Sequence, residues 1–296
     1  MSLALWAAAA TGVQVGAAIV ASRFAVGEVP PLTLAMLRYA IGFACLLPFA
    51  WRPLRVLAGP QRPPARDLGA MAALGIGQFG VLIALLNLGL RQVPAAPAAL
   101  VFSLFPLLTL LLAAALGQER IHARLTGGVA LSIAGVACCL APGLGGWRPD
   151  AWGGVLAVLA AAATGALCSV LYRPYLRRYP VLPVSAFAML ASVGVLAVLA
   201  WPEHWPARLA GFSAPAWAAI VFVGVSSGVG YVAWLYALKH ESATRVTVFL
   251  ALNPLTASVL GWLALGERPA TATWPALVLV AAGLGLATRR ADNPRP

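Results

Sequence analysis

Leu90 to Arg120 reads LRQVPAAPAALVFSLFPLLTLLLAAALGQER, and Leu238 to Arg268 reads LKHESATRVTVFLALNPLTASVLGWLALGER. The two stretches align without a gap at an offset of 148 residues, and eight of the 31 aligned positions are identical. Each opens with a basic residue (Arg91, Lys239), holds a proline inside an apolar helix (Pro106, Pro254), and closes on Glu-Arg (Glu119-Arg120, Glu267-Arg268). A repeat of this kind decides the architecture before any single element does. A Pro-interrupted apolar helix at the same place in two halves points to the substrate site of a membrane transporter.

Composition sets the solvent. Of 296 residues, 61% are hydrophobic and 9% charged, with a mean hydropathy of +0.89. A soluble domain carries about 25% charged residues, so this is the composition of a polytopic membrane protein. The net charge of +12 comes almost wholly from arginine. The arginines sit singly or in small groups at helix ends, with no basic face or tract, which excludes nucleic acid as a partner. Cys45, Cys138, Cys139 and Cys168 fall inside apolar spans without metal-ligand spacing, and no metal or cofactor is expected. The first apolar span starts at Leu3 with no basic leader, so it reads as a spanning helix rather than a cleaved signal.

Spans of about 20 apolar residues occur at 3–22, 32–51, 68–88, 94–116 and 124–142, and again at 152–172, 182–201, 214–237, 243–265 and 271–288. The expected fold is all-α integral membrane, with ten transmembrane helices in two five-helix repeats, 1–145 and 146–296. With ten spans both termini share a side. Thirteen loop or end arginines and lysines lie on that side and five on the other, which places both termini in the cytoplasm. Five helices is an odd number, so the second repeat inserts upside down relative to the first, as inverted repeats do. Gly12 with Gly16, and Gly224 with Gly228, have the spacing that lets helix backbones approach closely.

Several features together resemble a known family. They are the five-plus-five arrangement, Arg38 in LAMLRYAIG of the second helix, the prolines of the fourth and ninth helices, and the Gly-x-Glu and Gly-Glu endings (Gly117 to Glu119, Gly266-Glu267). In these the chain is similar to the drug/metabolite transporter superfamily, EamA type, and most similar to its aromatic amino acid exporter group. The arginine is not repeated, because Leu190 stands where a second Arg38 would be. The resemblance implies export of amino acids or other small metabolites across a bacterial inner membrane, with the lipid bilayer as surroundings and a monomer compatible with the sequence.

Polar groups at mid-depth in a bilayer are costly and point to function. The candidate substrate-binding set is Gln14, Gln78, Phe79, Phe102, Ser103, Ser227, Tyr231 and Trp234, with Pro106 and Pro254 as hinges. Each proline leaves the carbonyl four residues earlier without its helical donor. Arg38, Glu119 and Glu267 read as structural charges, with an acid such as Glu267 as the expected partner of Arg38. The alternative, counter-ion to a substrate carboxylate, applies to Arg38 alone. No Asp or Glu falls at mid-membrane. A cation antiporter uses a buried carboxylate, so a drug or organic-cation exporter is the second choice. Gly224 to Gly228 matches the G-x-S-x-G of hydrolases but lies in an apolar helix, with His122, His204 and His240 all in loops, so an intramembrane enzyme is a distant third. A reporter fused after Pro296 is expected to be active only when the reporter works in the cytoplasm; activity confined to the periplasm would overturn the parity of the spans.

Overall fold

A computed structural model of the chain describes residues 2–58, 63–117, 123–140, 149–241 and 243–288. Among them there is no strand. The long apolar stretches form α1 (Leu3–Ala25), α2 (Pro31–Ala58), α3 (Ala65–Leu90), α4 (Ala95–Ala115), α5 (Ala123–Leu140), α6 (Pro149–Arg178), α7 (Val181–Leu199), α8 (Ala214–His240), α9 (243–265) and α10 (Thr273–Thr288). Seven of these, α1 to α4 and α6 to α8, contain stretches long and apolar enough to cross a membrane. The apolar runs in α5, α9 and α10 are shorter: Thr126–Cys138, Leu252–Leu265 and Thr273–Gly283. The outward faces are apolar, with Phe49, Val198, Leu263 and Val278 among the most exposed side chains. Such a surface belongs in lipid, because a water-soluble monomer rarely exposes a continuous apolar patch above a few hundred Å².

The helices pack in matched pairs. α1 lies against α8, and α3 against α6; α1 also meets α9, and α6 meets α4. α2 packs on α8 as α7 packs on α3, while α2 with α7, α4 with α9, and α5 with α10 are pairs in their own right. Small residues set the closest approaches. A Cβ at Gly12 would collide with the Phe249 carbonyl oxygen, and one at Gly16 would come within 2.7 Å of the Asn253 carbonyl oxygen. One at Gly228 would meet the Gly42 carbonyl oxygen at 2.8 Å. Both glycine pairs read from the sequence therefore lie at backbone-to-backbone contacts, where a side chain would push two helices apart.

Three helices are interrupted. α3 passes through a π-helical turn at Ile76–Val81. α4 is two pieces, Ala95–Phe102 and Phe105–Ala115, with Pro106 at the second position of the second piece. α9 opens with a short helix, tightens to a 3-10 turn at Val248–Ala251, and resumes at Leu252–Leu265, two residues before Pro254. Proline lacks the amide hydrogen and crowds the preceding turn, which accounts for the breaks in α4 and α9. No proline lies in the α3 turn. Its glycines, Gly77 and Gly80, and Gly75 just before it, sit against Cys168, Ser192 and Ala188 of neighbouring helices.

Acids cap helix starts. Glu203 accepts the amides of Leu32 and Thr33 (3.1 and 2.7 Å) and the Thr33 hydroxyl (2.7 Å) at the start of α2. Glu28 accepts the Ser213 amide and hydroxyl at the start of α8. A carboxylate at a helix N-terminus satisfies orphan amides and complements the dipole. The Ser213 hydroxyl, with the Ser213 amide, holds the Glu28 carboxyl below its ordinary range. A lowered folded value means this contact is complete at neutral pH and is lost as pH falls through that value. Gly117 and Gly266 end α4 and α9 with φ of 68° and 66°, the left-handed conformation that glycine adopts without strain. Glu119 lies outside the described residues.

Gly16→Ala is expected to lower the thermal midpoint of the purified protein, since overpacking a tight contact costs about 1–3 kcal/mol. Gly194→Ala, whose Cβ would meet nothing within 4 Å, should leave the midpoint unchanged. Equal midpoints for the two variants would contradict the close α1–α9 contact.

Candidate functional site

The interrupted segments meet around a cavity. α3 contributes Gln78 and Phe79 from its π-helical turn, α4 contributes Phe102 and Phe105 from either side of its break, and α9 contributes Leu250 from its 3-10 turn. The remaining walls come from the middle of α1 and α8, from Arg38 and Tyr39 of α2, and from Leu82, Ile83 and Leu86 of α3 beyond its turn. The cavity volume is about 80 Å³.

Aromatic rings form two walls. Tyr39, Phe79 and Tyr231 stand in sequence, with centroids 4.5 Å apart for the first pair and 4.1 Å for the second, the latter edge-to-face at 69°. Phe102, Phe105 and Trp234 form the other series, at 5.6 and 6.1 Å, with the last pair at 88°. Tilted and edge-to-face pairs at about 4.5–7 Å are the favourable arrangements for aromatic quadrupoles, a range that holds three of these pairs, with Phe79 and Tyr231 closer still.

The polar groups are few. Gln14 donates through Nε2 to the Ser226 hydroxyl (3.2 Å), and its Oε1 lies against Gly230, where any Cβ would be 2.6 Å away. The Thr11 hydroxyl is held by the Ala7 carbonyl (2.8 Å), with the Gly230 carbonyl at 3.4 Å. Gln78 Oε1 is buried without a hydrogen-bond partner. Arg38 is 6% exposed and donates from Nε to the Ser227 hydroxyl at 2.6 Å, with its guanidinium carbon 5.6 Å from the Tyr39 ring centroid. No Asp or Glu is among the described residues that line the cavity.

Seven of the eight candidate residues read from the sequence converge here: Gln14, Gln78, Phe79, Phe102, Ser227, Tyr231 and Trp234. Ser103 does not. It is fully buried at the α4 break, and its hydroxyl donates to the Leu100 carbonyl at 2.6 Å, the local bond that serine commonly makes in a helix. Arg38, expected to serve the scaffold, instead lines the cavity. Glu267 pairs with Arg23 at 3.0 Å and not with Arg38. It also accepts the Ala95 amide (2.9 Å) at the start of α4, while Arg23 donates to the Leu90 carbonyl (2.6 Å) at the end of α3. That charge pair ties four helix ends together at one face of the bundle. Pro106 and Pro254 lie at the breaks without lining the cavity. Asn253, next to Pro254, is fully buried and also outside the lining.

Leu250, whose carbonyl Pro254 leaves without its helical donor, also lines the cavity. The lining further includes Thr11, Tyr39 and Phe105. Thr11 precedes Gln14 by three, the spacing that shares a helix face, and Phe105 adjoins Pro106, so both carried a usable signal. Tyr39 carried none beyond adjacency to Arg38. Gly224 to Gly228 lies inside α8, so its serine is on no strand-to-helix elbow.

A bundle with an apolar exterior, broken helices and a polar, aromatic-walled cavity is the architecture of a membrane transporter. The chain belongs to the EamA-like transporter family, whose pattern matches residues 2–141 and again 152–289. It is 34% identical over 292 residues to a probable terminal-alkyne amino-acid exporter of Streptantibioticus cattleyicolor, covering 97% of this chain and 92% of that one. It is 27% identical over 270 residues to an aromatic amino acid exporter of Ancylobacter novellus, covering 88% and 89%. Among solved structures it resembles one titled only as the crystal structure of a protein, with a TM-score of 0.68, 26% identity, and coverage of 94% and 96%.

Proposed function

We propose that the chain exports amino acids or closely related small metabolites across a bacterial inner membrane, by alternating access through the cavity between α1, α3, α4, α8 and α9. The observation that carries this reading is the lining: aromatic faces, neutral hydrogen-bonding groups and one arginine, with no carboxylate. Aromatic and aliphatic walls accept varied apolar side chains, and a few placed polar groups orient the charged end of a zwitterion. The names of the relatives, an exporter of terminal-alkyne amino acids and one of aromatic amino acids, point the same way. Gln14, Gln78, Phe79, Phe102, Ser227, Tyr231 and Trp234 are the proposed binding set. Catalysis is not proposed.

Alternating access is supported by volume. About 80 Å³ holds a few water molecules, at about 10–15 Å³ each on this measure, whereas drug-sized ligands occupy pockets of about 300–1,000 Å³. The walls have to separate to admit an amino acid. Pro106 and Pro254 mark the breaks about which α4 and α9 would bend. The matched pairings of α1–α8 with α3–α6, α1–α9 with α4–α6, and α2–α8 with α3–α7 support two inverted repeats, 1–145 and 146–296, exchanged by a two-fold axis in the membrane plane. Both termini are assigned to the cytoplasm on the basic-residue bias. Export of drugs or organic cations is the second reading, and the carboxylate-free lining disfavours it.

Proteoliposomes holding the full chain test the proposal with a panel of amino acids, nucleosides, sugars and organic cations. Amino acids should be transported. Gln78→Leu should reduce their initial rate by about tenfold, the loss of roughly one buried hydrogen bond to a charged group. Trp6→Leu, on the outer surface, should not change the rate. Cation transport without amino acid transport, or equal behaviour of the two variants, would remove this assignment.

A further inference from the structure

We infer that Arg38 is the carboxylate anchor of the cavity, so that a free carboxylate is the feature of the solute on which selection depends. This rests on the transport reading above for the movement of solute, and on the geometry of α2 and α8 for the site.

Arg38 is the one charged side chain among the described residues that line the cavity. It is 94% buried, taken from its 6% exposure. An ion so placed in a bilayer protein calls for a compensating charge, because desolvation penalises the bare cation. Acids at the helix ends of the bundle are committed there. Glu267 is held by Arg23 and the Ala95 amide, Glu203 by the start of α2, and Glu28 by Ser213. The hydrogen bond that Arg38 makes uses Nε, which fixes the guanidinium against Ser227. Its two terminal nitrogens are left to the cavity, in the planar fork that matches a carboxylate. The Tyr39 ring lies beside the guanidinium, its centroid 5.6 Å from the guanidinium carbon.

The rest of the lining complements the other end of an amino acid. Gln78 Oε1 is a buried acceptor with no donor. Phe79 follows Gln78 in sequence, and its ring meets that of Tyr231 edge-to-face beside the same cavity. An ammonium group supplies the missing donor and is attracted by aromatic faces. The pattern is thus bipolar: a cation with no anion on α2, and an acceptor with no donor on α3. A solute that carries a carboxylate and an amine satisfies both, and one that lacks the carboxylate leaves the guanidinium bare.

The test uses proteoliposomes of the full chain and two series of solutes. The first is L-phenylalanine, L-phenylalaninamide, phenethylamine and 3-phenylpropanoate. The second is L-leucine, L-leucinamide, isoamylamine and 4-methylpentanoate. Each is measured as uptake and as competitor, with the wild type, Arg38→Gln and Arg38→Lys. In the wild type the amino acid should exceed its amide and its amine by about tenfold or more, the scale of one charge-assisted bidentate contact. Arg38→Gln should bring acid and amide within about twofold of each other, and Arg38→Lys, which keeps charge but loses the fork, should restore part of the preference. If the wild type moves amino acid and amide equally, or Arg38→Gln keeps the preference, the anchor is wrong while amino acid export stands. If 3-phenylpropanoate or 4-methylpentanoate moves and no amino acid does, export of amino acids falls and the anchor stands. Movement of the amines alone, or of none of the eight, overturns both. The wild-type comparison needs no variant, so a poorly folded Arg38→Gln protein does not shelter the inference.

Discussion

A hydrocarbon slab offers no water to a peptide group, and every backbone amide and carbonyl inside it has to find its partner within the protein. That constraint makes the chain helical and dictates where it can stop being helical. Irregular backbone is tolerated at membrane depth where it is shielded from lipid. The π-helical turn of α3, the break before Pro106 in α4 and the 3-10 turn before Pro254 in α9 all contribute or adjoin cavity residues. The places where the regular ladder fails are the places where the molecule keeps its polar interior.

The same constraint sorts the side chains. Outward faces carry leucine, valine, phenylalanine and tryptophan, and helix contacts are made by glycine. With lipid tails as apolar as leucine, helix association relies on close packing and hydrogen bonds rather than on exclusion of water. A glycine that brings backbones together is therefore worth more than another large side chain. The acids sit at helix ends, where Glu28, Glu203 and Glu267 satisfy amides that nothing else would reach. Arg23 meets Glu267 where α1, α3, α4 and α9 end. Among the described residues Arg38 is the charged side chain buried inside the bundle, and it lies at the cavity.

The cavity combines rigid and yielding parts. Tyr39, Phe79 and Tyr231 on one side, and Phe102, Phe105 and Trp234 on the other, are locked ring against ring. Phe79, Phe102 and Phe105 hang from helices whose ladders are interrupted beside them, and Tyr39, Tyr231 and Trp234 from the continuous α2 and α8. A wall of interlocked rings moves as a unit when its helix bends, so a break next to it can convert a small change of backbone angle into a change of cavity size. Helix breaks of this kind have identifiable causes in proline and π-turns, both present here.

The amino-acid sequence by itself determined the solvent, the helical class, the positions of both proline breaks and most of the polar residues of the interior. These depend on quantities that act locally: hydropathy summed over about 20 residues, the missing amide of proline, and the cost of a polar group in lipid. The 148-residue echo added Pro254 to Pro106 and Glu267 to Glu119. What the tertiary structure decided is the rotation of each helix about its own axis, and so which side chains face one another. Ser103 is adjacent in sequence to cavity residue Phe102 yet turns into its own helix to reach Leu100. Arg23, which looked like an end charge, takes Glu267, and Arg38 is thereby left for Ser227 and the cavity. The π-helical turn that presents Gln78 and Phe79 has no proline to announce it. Helix rotation is set by contacts between residues far apart in the chain, and no local property of α2 or α3 encodes it.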